Sequence, residues 1–330
     1  MEVFPPEIVK IYEEIRDMKI RGAGRIARAA AMALRMAAEI YTGDDERTLE
    51  YLSSVASYIG SSRPTAVSLP NALHYVLSRV KLAKRRGIRP LKEVAIRAAD
   101  QFIKYSLRAV EMIGKIGAGR IKDGDVVMTH CNSTAALSVI FEAWRRGKRI
   151  KVYATETRPK FQGRITAKAL ASKGIPVVLI PDSAVRYFMK DVDKVVLGAD
   201  AVAANGAVVN KIGTSLIALS AHEARVRVFV MAITYKFNPE TIFGELIEIA
   251  EEEPQAPFLQ DMKTRTQGAI KALSPLFDVT PPEYIDAIIT ERGIIAPQAA
   301  SLVLIEEYGR GFGDYLASIT SDIEDEGYVG

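Results

Sequence analysis

From Val126 onward the chain alternates short, largely apolar runs with stretches of helical spacing, and no other feature restricts its fold so tightly. VVMT ends at Thr129, IKVYAT at Thr155, PVVLI at Ile180, KVVLGA at Ala199 and VRVFVMA at Ala232. Between them lie stretches long enough for a crossover helix, such as STAALSVIFEAWRRG and RITAKALASKG. A run that is apolar at successive positions, rather than at alternate ones, must be covered on both faces, and parallel neighbours need a crossover to join them. The pattern therefore predicts a mostly parallel sheet with helices on either side. AIIT at 287–290 extends it by a further strand.

Upstream of Asp123-Gly124 the period changes. Residues 6–20, 25–41, 72–86 and 91–113 place apolar side chains three and four apart, and β-branched runs bounded by turns are scarce. Residues 1–121 read as an all-helical domain, and residues 122–330 as a Rossmann-like domain carrying most of the active site. The chain is thus α/β in class. RGAG at 21–24 and SSRPTAVSLPNA at 61–72 break the helical pattern and read as loops. No repeat of 20 to 50 residues is visible, and the acidic stretch 322–326 reads as a solvated end.

Composition excludes several classes. Of 330 residues, 48% are apolar and 25% charged, the balance of a packed globular enzyme. The 44 basic and 40 acidic residues are dispersed, so the net charge of +4 forms no basic stripe and argues against nucleic-acid binding. Cys131 is the sole cysteine, which rules out an intrachain disulfide; with three scattered histidines, no metal site is expected. A reducing compartment follows. No run approaches the ~18 apolar residues of a membrane span and the first residues lack signal-peptide organisation, so a cytoplasmic protein is expected, with no membrane partner. Few Asn and Gln beside many Lys, Arg and Glu is the bias of heat-adapted proteins.

Open α/β sheets bind ligands at the carboxyl ends of their strands. Here those ends carry HCNS at 130–133, ETRP at 156–159, PDS at 181–183, Asp200, and TYKF at 234–237. Cys131 follows a buried strand near the start of a helix whose dipole favours a thiolate; a small buried hydrophobe is the alternative role. His130 beside it would face the other way, as a supporting or core histidine. Asp200 emerges after Gly198, which allows close backbone approach. A carboxylate partly desolvated there suits protonation of a sugar ring oxygen, and an Asx turn is the plainer alternative. RGAG has the form of a phosphate nest, with amides opening into a helix near Arg25 and Arg21 as a fork for anionic oxygens. NKIGTS at 210–215 joins a loop to a helix start and offers Lys211. Arg63 and Arg158 each precede a proline that holds them extended.

These segments, THCNS, ETRPKFQG, GADAVAANGAVVNKIGTS, FDVTPPEYIDAIIT, RGAG and SRPTAVSLPNA, together resemble the superfamily of translation initiation factor 2B regulatory subunits and aldose-phosphate isomerases. The resemblance spans nearly the whole chain and is greatest toward the archaeal ribose-1,5-bisphosphate isomerases. It implies a helical domain followed by a Rossmann-like domain, catalysis by Cys131 and Asp200, and substrate contacts from Arg21, Gly22, Ala23, Gly24, Arg63, Arg158, Gln162, Asn210, Lys211 and Lys236. The activity it implies is conversion of ribose 1,5-bisphosphate to ribulose 1,5-bisphosphate without a cofactor, in AMP and nucleotide salvage. It further implies AMP as an allosteric activator and a homo-oligomer, a hexamer assembled from dimers.

Two relatives within that superfamily would act differently. A methylthioribose-1-phosphate isomerase would share Cys131 and Asp200, but the resemblance leads one to expect Pro after RGA, where this chain has Gly24, and no lysine at Lys236. A regulatory subunit of the initiation factor would work through protein contacts and generally lacks the Cys and Asp pair.

Overall fold

The computed structural model describes residues 4–244 and 273–308, together with 247, 249, 251–252 and 269–270. The acidic stretch 322–326 lies outside the described residues.

Five helices form the first part: α1 (Pro6–Arg16), α2 (Ala23–Ile40), α3 (Thr48–Ser61), α4 (Ser68–Arg85) and α5 (Leu91–Gly117). α2 touches all four of the others. Its buried positions are almost all alanine, including Ala27, Ala30, Ala31, Ala33, Ala37 and Ala38, so the surrounding helices approach its backbone closely. α5 buries Leu91, Ala95, Ala98, Phe102, Ala109 and Ile113, a stripe at three- and four-residue spacing along 27 residues. Boundaries differ from the sequence reading: α1 ends at Arg16 rather than Ile20, and Ala23 and Gly24 of RGAG already belong to α2. The segment 68–72, expected as loop, is already the first turn of α4. Pro70 is its third residue, where a missing N–H leaves no helical bond unmade.

The second part begins with β1 (Val126–Thr129), α6 (Thr134–Arg145), β2 (Lys151–Thr155), α7 (Gln162–Ala171), β3 (Val177–Ile180), the single turn α8 (Val185–Phe188) and β4 (Lys194–Gly198). It continues with β5 (Ala201–Val202), β6 (Val208–Lys211), α9 (Thr214–Glu223), β7 (Arg227–Met231), β8 (Glu251–Glu252), β9 (Ser274–Pro275), β10 (Phe277–Thr280), β11 (Ala287–Thr290), β12 (Gly293–Ile295) and α10 (Ala300–Tyr308). The main sheet has the order β12-β11-β7-β4-β1-β2-β3 and is parallel except for β12. The α/β reading, helical first and then mostly parallel sheet, is what the molecule has.

Alternate residues along each strand enter different cores. Val127, Val152, Val196, Phe229 and Ile289 join one apolar cluster that runs without a break into the five helices. Met128, Val195, Val228, Val230 and Ile288 join another, against α9 and α10. Strand order reverses between β1 and β4: from β1 the chain steps outward through β2 and β3, then returns to the other side of β1. A crevice opens at such a reversal.

A second sheet lay beyond the reach of the sequence reading. β5, β6 and β10 form an antiparallel sheet of order β10-β6-β5. Asn210 and Lys211, expected in a loop, are instead the last residues of β6. The backbone N–H of Asp200 donates to the Val209 carbonyl at 2.9 Å, which ties the small sheet to the end of β4.

Candidate active site

The crevice between the ends of β1 and β4 is a cavity with Cys131 beyond one strand and Asp200 beyond the other. Gly198 makes the approach feasible, because a Cβ there would stand 2.4 Å from Ser133 Oγ. The helical part supplies the opposite wall: Arg21, Gly22, Ala23 and Gly24 at the start of α2, and Arg63 ahead of α4. Gln162, Asn210, Lys211 and Lys236 complete the set of expected residues that line it.

Arg158 does not. Its side chain is half exposed, 3.9 Å from Glu156 Oε1, with its guanidinium carbon 5.1 Å from the Phe161 ring centre. An ionic partner and an aromatic face thus hold it outside the cavity lining. Lys160, two residues later, lines the cavity instead, with its Nζ 3.2 Å from Met18 Sδ. Met18 belongs to the α1–α2 connection, and Arg21 Nε donates to its carbonyl at 2.6 Å. Lys160 therefore stands where the helical part and the sheet part meet across the cavity. Nothing in residue type distinguishes it from Arg158 in the string ETRPK; only the turn of the loop selects between them.

Burial dominates the electrostatics. The Cys131 thiol is pushed up to about 12 by desolvation, opposed by the Lys211 ammonium and reinforced by Asp200. This reverses the expectation that a helix start would favour the thiolate, since α6 begins three residues later at Thr134. Lys211 is lowered by burial, with Cys131 and Asp200 pulling it back up and Lys160 and Arg63 pressing it further down. Lys236 is likewise lowered by burial and countered by Asp200. One thiol, one carboxylate and several cations thus feel one another in a single cavity.

Each group is held. Lys211 Nζ donates to the Leu276 carbonyl at 2.8 Å and lies 4.4 Å from the Phe277 ring centre. Lys236 Nζ donates to the Ala199 carbonyl, and Asn210 Nδ2 donates to Thr214 Oγ1 at 2.9 Å. Asn71 of α4 donates from Nδ2 to the carbonyls of Tyr235 and Phe237, at 2.9 and 3.1 Å, and so fixes the turn that carries Lys236. Gln162 Oε1 is buried without a hydrogen-bond partner among the described residues, an acceptor left for a hydroxyl or ammonium.

His130 is buried and neutral, its pKa lowered to about 4 chiefly by desolvation. Its Nε2 lies 2.9 Å from the Ile212 carbonyl and its Nδ1 2.6 Å from Thr155 Oγ1. A carbonyl can only accept, so the proton sits on Nε2 and Nδ1 receives the threonine hydroxyl. Among the described residues no group of three His, Cys, Asp or Glu is arranged to hold a metal ion.

Residues 19–297 match the model of the initiation factor 2 subunit family. The chain belongs to that family. Among its relatives, the ribose 1,5-bisphosphate isomerase of Thermococcus kodakarensis is 54% identical over 307 residues, spanning 92% of this chain and 95% of that protein. The protein of the same name from Pyrococcus furiosus is 52% identical over 93% of this chain and 95% of its own length. The translation initiation factor eIF-2B of Pyrococcus horikoshii OT3 has the same architecture in its crystal structure, with a TM-score of 0.76 at 30% identity over 89% of this chain and 98% of that one. Proteins similar to this chain are thus named as isomerases in two cases and as a translation factor in the third, and the cavity residues are what must separate them. No described helix is long and apolar enough to cross a membrane.

Proposed function

We propose that this family member is a sugar-phosphate isomerase that converts ribose 1,5-bisphosphate to ribulose 1,5-bisphosphate, with Cys131 and Asp200 as its acid/base pair. The observation that carries the reading is the position of those two groups on either side of the strand-order reversal, in a cavity lined by Arg21, Arg63, Lys160, Lys211 and Lys236. The archaeal relatives at 54% and 52% identity are named for this reaction. Two phosphates call for two anion sites. The Gly22–Ala23 amides with Arg21 and Arg63 suit one, and the lysines suit the other.

The anomeric oxygen of the substrate is phosphorylated, so the ring cannot open as a free sugar does. Asp200, protonated, gives its proton to the ring oxygen as the bond from that oxygen to carbon 1 breaks. Cys131, as thiolate, takes the proton from carbon 2, leaving a phosphorylated enediol-type intermediate. The same proton returns from Cys131 to carbon 1 while the carbon 2 hydroxyl yields its own proton to Asp200, restoring both groups and forming the ketone. Gln162 Oε1 accepts from a sugar hydroxyl, and Arg158 acts outside this set. A closed, dry cavity retards loss of phosphate from the intermediate. No cofactor enters these steps.

The same reading takes the protein to be a homo-oligomer, a hexamer assembled from dimers, activated by AMP, two properties that rest on the family resemblance, and cytoplasmic, which rests on the sequence pattern alone. The test is turnover of ribose 1,5-bisphosphate against methylthioribose 1-phosphate, with and without AMP, by the wild type and by Cys131→Ser and Asp200→Asn. Selective turnover of the bisphosphate, abolished in both folded variants, is the expected result. Turnover of the methylthio sugar alone would reassign the substrate. No turnover of either, with stable capture of initiation factor subunits, would overturn the enzyme reading.

A further inference from the structure

β1 ends at Thr129 and α6 begins only at Thr134, so Cys131 lies in neither ladder nor helix and its two peptide groups must find partners elsewhere. Its φ is +61°, in the left-handed region that residues with a Cβ seldom adopt. Both partners are buried threonine hydroxyls from the segment that follows β2. The Cys131 N–H donates to Thr157 Oγ1 at 2.9 Å, and the Cys131 carbonyl accepts from Thr166 Oγ1 at 2.7 Å. Thr157 is itself left-handed, with φ +60° and no exposed surface. It is fixed in turn by Asp182, which accepts from the Thr157 amide at 2.9 Å and from the Arg158 amide at 2.7 Å.

These bonds form one line across the ends of three neighbouring strands: Asp182 after β3, Thr157 after β2, Cys131 after β1. Thr166 closes it from the other side, on the second turn of α7. α7 stands close enough to reach because Gly163 lies against β2, where a Cβ would fall 1.6 Å from the Thr155 carbonyl oxygen. We infer that Thr157 and Thr166 are positioning residues that clamp the Cys131 backbone from both sides and so fix the direction in which its sulfur enters the cavity. Their other contacts are longer: Thr166 Oγ1 lies 3.2 Å from Asn132 Oδ1, and Thr157 Oγ1 lies 3.4 Å from His130 Nδ1 and 3.5 Å from Thr155 Oγ1 and the Thr155 carbonyl. A cysteine held by the ordinary strand-to-helix path would keep φ negative and turn its side chain elsewhere. The catalytic consequence rests on the acid/base role given above to Cys131; the geometric one does not.

Because Cys131 is the only cysteine in the chain, the rate at which iodoacetamide alkylates the whole protein reports on this one side chain. The native thiol is half buried and held neutral, so it reacts slowly. The experiment compares wild type, Thr157→Val, Thr166→Val and Thr157→Ser at pH 8, each checked for native circular dichroism. Valine keeps the shape and removes the hydroxyl, whereas serine restores it. The expected result is alkylation about fivefold or more faster in the folded valine variants and near the native rate in Thr157→Ser. With the sugar phosphate that the wild type isomerises, kcat should fall about tenfold or more while KM stays within about threefold, and Thr157→Ser should recover most of it. Folded valine variants with alkylation unchanged or slower would overturn the clamp. Faster alkylation with unaltered kcat would overturn its role in catalysis. Should Thr157→Val fail to fold, Thr166→Val decides alone, since it acts on the opposite side of the same residue. A wild type that isomerises no sugar would sink the proposed function and leave the alkylation comparison standing.

Discussion

The Nζ of Lys236 donates to the carbonyl of Ala199, the residue immediately before Asp200, at 2.5 Å. A buried ammonium from the turn after β7 therefore holds the end of β4 at the point where the candidate acid emerges, and its charge also acts on the Asp200 carboxylate. Replacing it by Met removes both effects and strands a carbonyl. Lys236→Met should lower kcat/KM for ribose 1,5-bisphosphate by about 100-fold, the scale of losing one fixed charged donor. Steady-state kinetics decide it, and a loss below threefold would detach Lys236 from the site.

Lys160 and Arg158 form a matched pair of tests. Lys160→Met should raise KM for the bisphosphate about tenfold, corresponding to about 1.4 kcal/mol of binding, and should flatten its dependence on salt. Arg158→Met should leave both within twofold, because its guanidinium is engaged with Glu156 and Phe161 outside the cavity lining. Kinetics at low and high ionic strength distinguish them, and equal effects would mean the loop turns the other way in solution.

The Cys131 thiol must lose its proton before it can act as a base, and burial raises its pKa to about 12 despite Lys211. Raising the pKa keeps the proton on across the neutral range. The thiolate fraction then grows about tenfold with each pH unit below that pKa, so the logarithm of the rate at which iodoacetamide alkylates this sole cysteine should rise with a slope near +1 from pH 7 toward pH 10. An alkylation profile that is flat from pH 7, or that breaks near the ordinary thiol value, would show that burial does not keep this thiol neutral. Asp200 and Asp182 act in the same direction as burial, and Lys211 acts against it.

His130 gives a stability prediction of definite sign. Its folded pKa is lowered to about 4 from an ordinary 6.5, so below pH 6.5 the unfolded chain binds a proton that the folded chain refuses. Stability is full above that value and declines as pH falls toward 4, by a limit of about 3 kcal/mol for this group. Urea unfolding of the wild type at pH 7 and 4.5, beside His130→Asn, should show the pH loss reduced in the variant. Equal losses would show that other groups carry the acid sensitivity.

Much of this protein follows from local patterns. Nearly continuous apolar runs such as VVMT and VRVFVMA mark strands covered on both sides, and three- and four-residue spacing in 91–113 buries one stripe of a helix, so the α/β order is written in the chain itself. Polar groups after each strand likewise mark one edge of the sheet as the place for chemistry, and Cys131 and Asp200 are legible there for that reason.

What the tertiary structure alone decided is which of those groups meet. The order β4-β1-β2 sets the thiol and the carboxylate on either side of one crevice, a matter of long-range pairing on which no short segment carries information. Within AVAANGAVVNK, Val208–Lys211 pairs with Phe277–Thr280 more than sixty residues away, so Asn210 and Lys211 read as loop until that partner is in place. Lys160 enters the cavity while Arg158 stays outside because of a loop conformation, and the thiol is kept neutral because desolvation outweighs any nearby helix end. Burial and register belong to the whole fold, and these are the quantities that turn a row of polar residues into a site.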